Sequence, residues 1–334
     1  MQIKKAIDSV PGGLMIIPLF LGVLVNTFFP EALKIGGFTT AMFSSSGALP
    51  ILGVFLVCVG SQLSFSLAPK ALKKGVILTV AKYVIGVSVG LGVGKFLEGS
   101  ALWGLTPLAI VAAMTNSNGG LYSALSGEYG DGTDVSAVAV LSLNDGPFFT
   151  MVALGAAGFA NIPLMAFVAV AFPICLGMVL GNLDPEMRKF LGQGEKLMIL
   201  FFSFPLGAGM DLHKVVTAGV PGVLLGVMTV VLTGFGGYFA LKLFRERPLC
   251  GLAEGSTAGN AVGTPLALAT ADPTLMPIKD EATAQVAAAC ITTAILCPLL
   301  ITFWNKYLVS KGSPYAKQPN TGQQAAPVPD GEKV

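Results

Sequence analysis

Two polar stretches, each inside an apolar segment, carry residue types that could bind a small hydroxylated solute. Their Thr, Ser and Asn side chains donate and accept hydrogen bonds, and both stretches contain the spacing Thr-x-x-Asn. The alternative is that these groups only join packed helices through hydrogen bonds. The predicted binding residues are Thr115, Asn116, Ser117, Asn118, Gly119 and Gly120 in the first stretch and Thr257, Asn260, Gly263 and Thr264 in the second.

Both stretches are predicted to interrupt a helix at membrane depth. Gly119 and Gly120 each cost roughly 1 kcal/mol in a helix interior, and Asn and Ser side chains compete for backbone hydrogen-bonding groups. We therefore expect a break near Asn118. We also expect a second break, followed by a helix with Thr264 as its N-cap and Pro265 as its first residue. Interrupted helices at the bilayer midplane are typical of binding sites in secondary transporters.

If the two breaks cross, two helix N-termini converge on one place. Each N-terminus is equivalent to roughly half an elementary positive charge and attracts anions. Because the apolar segments contain almost no Arg or Lys, these N-termini are the predicted partners of an anionic group. The neighbouring hydroxyl and amide side chains are the predicted partners of hydroxyl groups on the same solute.

Four other polar residues are candidates for binding a coupling ion, because ionisable groups inside a membrane are usually functional. Asp145 lies in mid-segment just before a Gly-Pro pair and is the favoured proton-coupling acid. Glu254 competes for this role because it precedes the second break. Asp211 ends the seventh apolar segment, and Gln62 occupies the matching place in the second. The alternative for Asp145 is a static ion pair with Lys82.

The composition is that of a membrane protein. Of 334 residues, 53% are hydrophobic and 11% are charged, whereas soluble domains carry about 25% charged residues. A net charge of +2 indicates no nucleic-acid partner, and a single histidine, His213, excludes a His-based metal site. The P-loop motif of ATP-driven proteins is absent from the sequence. We predict no cofactor, no metal, no enzymatic activity and no signal peptide.

Ten apolar segments of about 20 residues, the length that spans a bilayer, are predicted as transmembrane helices. The fourth and the ninth contain the polar stretches. Residues 1–313 are predicted to form one transmembrane domain, and residues 314–334 a disordered polar tail. The ten segments are residues 12–29, 47–66, 75–95, 102–125, 135–158, 163–182, 197–213, 217–241, 249–271 and 284–305.

An internal repeat and the distribution of basic residues predict the topology. Landmarks recur in the same order in residues 12–158 and 163–306, for example Pro18 with Pro173. Because each unit has an odd number of spans, the second is inverted, as in many secondary transporters. Most of the 20 Lys and Arg residues lie on the side of the N-terminus, which places both termini in the cytoplasm. The predicted fold is an all-α membrane protein of ten helices, two inverted five-helix repeats, with broken helices 4 and 9 crossing.

Four motifs carry a family resemblance. They are Gln2-Ile-Lys-Lys5, Asn118-Gly-Gly-Leu-Tyr122, Asp145-Gly-Pro147 and Gly181-Asn-Leu-Asp-Pro-Glu186. Over about residues 1–308 the chain resembles the 2-keto-3-deoxygluconate permeases. The resemblance implies a bacterial inner-membrane symporter that imports 2-keto-3-deoxygluconate, a small sugar-acid anion, with protons by alternating access.

More distantly, crossed broken helices resemble the bile-acid/sodium symporter fold. In that fold Thr115-x-Ser117-Asn118 would match the sodium-site stretch of the first broken helix, and Glu254 would match an acid of the second. This resemblance makes a sodium-coupled carrier of another organic anion on the same fold the alternative to proton symport. The spacing differs from that fold, because Glu254 lies six residues before Asn260, one more than expected. The two central breaks disfavour a passive channel.

Overall fold

The described part of the chain is built from helices. The structure, a computed structural model, describes residues 2–8, 13–63, 69–96, 103–141, 144, 146–210 and 212–317. These ranges contain no β-strand, which confirms the predicted all-α class.

Sixteen helices, α1 to α16 in chain order, lie within the described ranges. They are Ile3–Asp8, Gly13–Phe28, Gly37–Phe43, Ala48–Gln62, Pro69–Phe96, Pro107–Thr115, Gly119–Tyr129, Gly132–Ser136, Val138–Leu141, Phe148–Ala156, Leu164–Leu183, Pro185–Gly207, Leu212–Met228, Gly234–Leu243, Thr264–Ala271 and Met276–Ser310. A π-helical turn, Thr229–Thr233, joins α13 to α14. Short 3₁₀ turns are Ser45–Gly47, Leu249–Glu254, Gly259–Gly263 and Pro273–Leu275.

Several helices have the length and composition that a membrane span requires. In the described ranges, five are long and apolar enough to cross a bilayer. Of these five, α11 is the least buried within the protein, and its Phe172 and Leu183 are 65% and 78% exposed. Large apolar side chains that stay exposed along a helix of this length are expected to contact lipid. The chain is therefore a multi-pass membrane protein.

The first polar stretch breaks its helix where the sequence predicts. α6 begins after Thr106, whose Oγ1 accepts a hydrogen bond from Ala109 N at 3.1 Å. It ends at Thr115, and the next three residues are not helical. α7 then begins at Gly119, with Asn118 as its N-cap. The preference of Asn for capping positions, rather than helix interiors, explains this arrangement.

The second polar stretch is broken over a longer distance. Leu249–Glu254 and Gly259–Gly263 are 3₁₀ turns separated by non-helical residues 255–258, and α15 follows. The predicted N-cap is wrong by one residue, because Thr264 is the first residue of α15 and Gly263 precedes it. The 3₁₀ turn leads directly into α15, so Thr264 already has helical dihedral angles of φ −61° and ψ −45°. It therefore lacks the extended conformation of a capping residue.

Two other segments differ from the predicted spans. The fifth is interrupted as well, between α9 and α10, where Gly146 has a φ of +92° and Pro147 follows. A positive φ is favourable for glycine alone, and proline lacks the N–H that would continue a helix. α12 begins before its apolar segment because Asp184 caps it, with Oδ1 accepting from Glu186 N at 2.9 Å.

The helices pack as two groups. The first group is α2, α4, α11 and α12, and the second is α5, α6, α7, α13, α14, α15 and α16. In the first group α4 and α11 approach closely, since a Cβ added at Gly181 would overlap the backbone of Ser61. Such approach through small residues is common between membrane helices. Both broken helices belong to the second group, and the turn Gly259–Gly263 also contacts α2 and α12 of the first.

The described chain continues past the predicted end of the transmembrane domain. Ala316 is buried, Lys317 N donates to Asn305 Oδ1 at 2.8 Å, and Asn305 Nδ2 donates to Lys317 O at 3.1 Å. Residues 314–317 thus pack against α16. Residues 318–334 lie outside the described residues, and their predicted disorder stays a prediction.

Candidate functional site

The two broken helices contact each other at their breaks. Thr257 Oγ1 donates a hydrogen bond to the carbonyl oxygen of Ala113 at 3.0 Å. In the reverse direction, the side chain of Asn116 accepts at Oδ1 from Ala258 N at 3.3 Å. We name this contact the crossing. The crossing consists of residues 113–118 and residues 254–264.

Most of the predicted binding residues are buried at the crossing. Burial of a polar group is unfavourable unless that group is hydrogen-bonded, so a cluster of buried polar side chains is unusual. The structure brings residues of both predicted stretches into it. Thr115, Asn116, Ser117, Thr257, Asn260, Gly263 and Thr264 are buried, Asn118 and Gly119 are half-buried, and Gly120 is exposed.

Three buried polar atoms of the second break have no hydrogen-bond partner among the described residues. They are Glu254 Oε1, Asn260 Oδ1 and Thr264 Oγ1. Nearly all buried polar atoms in native proteins have a partner, so each exception requires an explanation. An amide or carboxylate oxygen accepts hydrogen bonds, and a threonine hydroxyl both donates and accepts. Each of the three atoms can therefore accept a hydrogen bond from a hydroxyl group.

Two helix N-termini also belong to the crossing. Asn118 caps α7, and its Oδ1 accepts a hydrogen bond from Leu121 N at 3.0 Å. α15 begins at Thr264 and contacts α6. The free N–H groups and the dipole at a helix N-terminus favour an anion. The crossing thus combines helix N-termini, which favour a negative charge, with buried oxygens that can accept hydrogen bonds.

A buried lysine of α5 reaches the second break. Lys82 Nζ donates to the carbonyl oxygen of Glu254 at 2.7 Å and to that of Ser256, and it lies 3.9 Å from Glu254 Oε2. The same carboxylate oxygen accepts a hydrogen bond from Ser117 Oγ at 2.8 Å. Both charged side chains are 0% exposed, and charges at such depth are tolerated when they are paired and hydrogen-bonded. Glu254 therefore links the two breaks to α5.

The four predicted ion-coupling residues have different positions. Glu254 lies at the crossing. Gln62 ends α4, and its Nε2 donates to the carbonyl oxygen of Arg188 at 2.9 Å, a contact that joins α4 to α12. Asp145 and Asp211 lie outside the described residues, so their roles and the alternative ion pair of Asp145 stay predictions. Within the described ranges, no group of three or more His, Cys, Asp or Glu side chains could hold a metal ion.

Sequence reasoning missed several hydroxyl groups around the crossing. Thr293 Oγ1 accepts a hydrogen bond from Thr257 N at 3.1 Å, and Thr150 Oγ1 lies 3.2 Å from Thr115 Oγ1. Thr293 and Thr150 lie inside helices, where an isolated hydroxyl gives no recognisable pattern. Ser256 had a usable signal, because it directly precedes the Thr-x-x-Asn spacing of the second stretch.

Comparison with known proteins identifies relatives along nearly the whole chain. A family profile described as 2-keto-3-deoxygluconate permease matches residues 4–309. The 2-keto-3-deoxygluconate permease 1 of Salmonella typhimurium strain LT2 is 53% identical over 304 residues, covering 91% of this chain and 95% of that protein. The 2-keto-3-deoxygluconate permease of Pectobacterium carotovorum subsp. carotovorum is 41% identical over 313 residues, covering 92% of this chain and 98% of that protein.

A solved structure shares the fold. The sodium proton antiporter MjNhaP1 from Methanocaldococcus jannaschii at pH 8 is similar with a TM-score of 0.50 and 16% sequence identity, covering 90% of this chain and 92% of that chain. At this identity the similarity concerns the fold alone, which is a membrane fold. Together with the family profile and the two relatives, these findings show that the chain belongs to the 2-keto-3-deoxygluconate permease family and is a transporter, not an enzyme.

Proposed function

We propose that the protein imports 2-keto-3-deoxygluconate together with protons, by alternating access, across the bacterial inner membrane. The observation that carries this proposal is the crossing, where two broken helices contact each other through buried polar residues. Secondary transporters bind their substrates at such discontinuous helices. The printed names of the relatives support the choice of substrate.

The chemistry of the crossing suits a hydroxylated carboxylate. We propose that the carboxylate of the substrate binds at the N-terminal turns of α7 and α15, where helix dipoles attract it. At Gly120 an added Cβ would meet nothing closer than Asn118 Oδ1 at 3.6 Å, so the backbone of this turn is open to a ligand. The substrate hydroxyls then satisfy the unpartnered oxygens of Asn260, Thr264 and Glu254.

The packing supports two inverted repeats of five spans. In the proposed repeat α2 corresponds to α11 and α4 to α12, so the contact of α2 with α12 is the counterpart of the contact of α11 with α4. Both contacts are present, and both are close: a Cβ added at Gly22 would overlap the backbone of Phe204, and one at Gly177 that of Val57. Movement of the second helix group against the first would then open the crossing to either side in turn.

The basic residues support an orientation with both termini in the cytoplasm. Lys70, Lys73 and Lys74 lie at the start of α5, and Arg188 and Lys189 at the start of α12. In the proposed topology of ten spans, both helix starts face the side of the N-terminus. Loops rich in Lys and Arg stay in the cytoplasm.

Glu254 is the coupling residue that the contacts support best. Its carboxylate connects Ser117 of the first break to the second break and lies beside Lys82. Protonation would remove its negative charge and weaken the attraction to both partners. A proton bound here would therefore change the contact between the two broken helices. Asp145 stays a predicted coupling residue and is tested in parallel.

Uptake into proteoliposomes under separately imposed gradients tests this function. We expect labelled 2-keto-3-deoxygluconate to accumulate on an inward proton gradient, with the same initial rate when sodium is replaced by choline. Glu254→Gln mimics the protonated acid and should retain substrate exchange while losing accumulation. If Asp145→Asn has this phenotype and Glu254→Gln does not, the coupling role belongs to Asp145. Accumulation that requires sodium at constant pH would support the sodium-coupled alternative and contradict the proposal.

A further inference from the structure

We propose that the ammonium group of Lys82 is a tethered cation, which takes the place of a mobile coupling cation at the second break and makes transport independent of sodium. This inference deepens the proposed function and rests on it for the transport readout. It concerns the ion selectivity of the crossing, and it can also be tested by cation binding in the absence of any substrate.

Several oxygen atoms surround the ammonium group. Lys82 Nζ contacts the backbone carbonyl oxygens of Glu254 and Ser256, and a carboxylate oxygen of Glu254 lies 3.9 Å away. Carbonyl oxygens of unwound backbone coordinate sodium in broken-helix transporters, and carboxylate oxygens are also ligands that hard cations prefer. Here the same kinds of ligand surround a positively charged nitrogen that is covalently attached to α5.

The ammonium group and its oxygen ligands are buried and held from several sides. Lys82, Glu254 and Ser256 are all 0% exposed. Thr233 Oγ1, from the π-helical turn, lies 2.8 Å from the carbonyl oxygen of Glu254, and Ser117 Oγ holds the carboxylate. While Glu254 is ionised, such an oxygen cluster without a cation would be strongly unfavourable at this depth. Lys82 supplies the positive charge that balances this carboxylate.

The consequence is that removal of the ammonium group should create a cation site. Lys82→Ala deletes the charge and the side-chain stem but leaves the oxygen atoms of Glu254 and Ser256 in place. A free sodium ion, with water, can then occupy the vacated space. Lys82→Met is the matched control at the same position, because it removes the charge while filling the space of the stem. Lys95→Ala is the control on the same helix, because Lys95 is exposed.

The test measures the apparent melting temperature of the purified protein in detergent, in sodium chloride and in choline chloride of equal ionic strength. For Lys82→Ala we expect sodium to raise the melting temperature by roughly 2–4 °C, because a ligand that binds the folded state stabilises it. The wild-type protein, Lys82→Met and Lys95→Ala should show no such difference. Equal melting temperatures of Lys82→Ala in both salts would overturn the proposal.

A second variant, Lys82→Gln, tests the effect of the charge alone. It provides the test if Lys82→Ala does not fold in either salt. The side-chain amide introduced by Lys82→Gln keeps two N–H donors but carries no charge. We expect it to fold and to lose uptake of 2-keto-3-deoxygluconate. Wild-type uptake by Lys82→Gln in sodium-free buffer would overturn the proposal. If the wild-type protein does not transport this substrate, the proposed function fails, while the sodium-dependent melting of Lys82→Ala still decides the cation inference.

Discussion

Replacement of Asn116 by alanine should weaken both the stability and the transport activity of the protein, because this side chain joins three separate elements. Its Oδ1 accepts a hydrogen bond from Ala258 N at 3.3 Å, and its Nδ2 donates to the carbonyl oxygen of Asn144 at 3.0 Å. Asn116 is 1% exposed, so water cannot readily replace either bond. Asn116→Ala leaves two backbone groups without their side-chain partner.

The size of the effect follows from these two bonds. An unsatisfied buried polar group costs about 1–3 kcal/mol, whereas hydrogen bonds between membrane helices average about 0.6 kcal/mol. Because two groups are affected, the free energy of unfolding should fall by between about 1 and 6 kcal/mol. Because this shift becomes smaller as the chain becomes longer, roughly 1–2 °C per kcal/mol applies to 334 residues, and the apparent melting temperature should fall by at least about 1 °C.

The assay is thermal unfolding in detergent combined with uptake into proteoliposomes. Asn305→Ala is the matched control, since Asn305 also exchanges two hydrogen bonds with backbone groups, but those groups belong to Lys317 and not to the crossing. We expect Asn305→Ala to lose stability and keep its uptake rate, and Asn116→Ala to lose both. An Asn116→Ala variant with wild-type stability and uptake would refute the view that this residue holds the crossing together.

Three further predictions concern other parts of the fold. Hydrogen bonding, chiefly from the Thr133 hydroxyl, holds the pKa of Asp131 well below its ordinary range, so its carboxylate stabilises the fold at neutral pH and this contribution is lost as the pH falls below about 4. Asp131→Asn should therefore reduce the acid-induced drop in melting temperature between about pH 4 and about pH 2, where that contribution is being lost, and an unchanged pH profile would contradict the assignment. Gly181→Val should abolish folding or membrane yield, because even a Cβ would overlap the Ser61 backbone; normal yield of active protein would show that α4 and α11 can separate. Removal of residues 318–334 should leave uptake unchanged, and a lower rate at equal membrane level would show that the tail has a role.

The helical class and both breaks could be predicted from sequence because their signals are local. An apolar run long enough for a bilayer specifies a span, and consecutive Asn, Ser and Gly residues specify an interruption. The same reasoning misplaced the N-cap of α15, because the conformation of Thr264 depends on the 3₁₀ turn before it and not on its own preference. It also counts the fifth segment as one span, although the helix-breaking pair Gly146-Pro147 indicates an interruption there.

The contacts of the candidate site depend on tertiary structure and were harder to predict. Lys82 stood out as a lone cation in an apolar segment, but its sequence position did not show that Glu254 and Ser256, from a distant part of the chain, would surround it. Thr150 and Thr293 gave no signal, because single hydroxyls are common on membrane helices that merely pack together. Gln62 shared a repeat position with Asp211, yet its hydrogen bond runs to Arg188.

Equilibrium binding of labelled 2-keto-3-deoxygluconate to the purified protein tests most directly whether the crossing is the substrate site. Asn260→Ala removes a buried oxygen that has no partner among the described residues, and loss of one substrate hydrogen bond should weaken binding about tenfold. Asn118→Ala should also weaken binding, whereas Asn118→Ser retains a capping side chain and controls for unfolding of α7. We expect weaker binding by Asn260→Ala and unchanged binding by Asn305→Ala. Wild-type affinity in a folded double variant, Asn118→Ala with Asn260→Ala, would show that the crossing is not the substrate site.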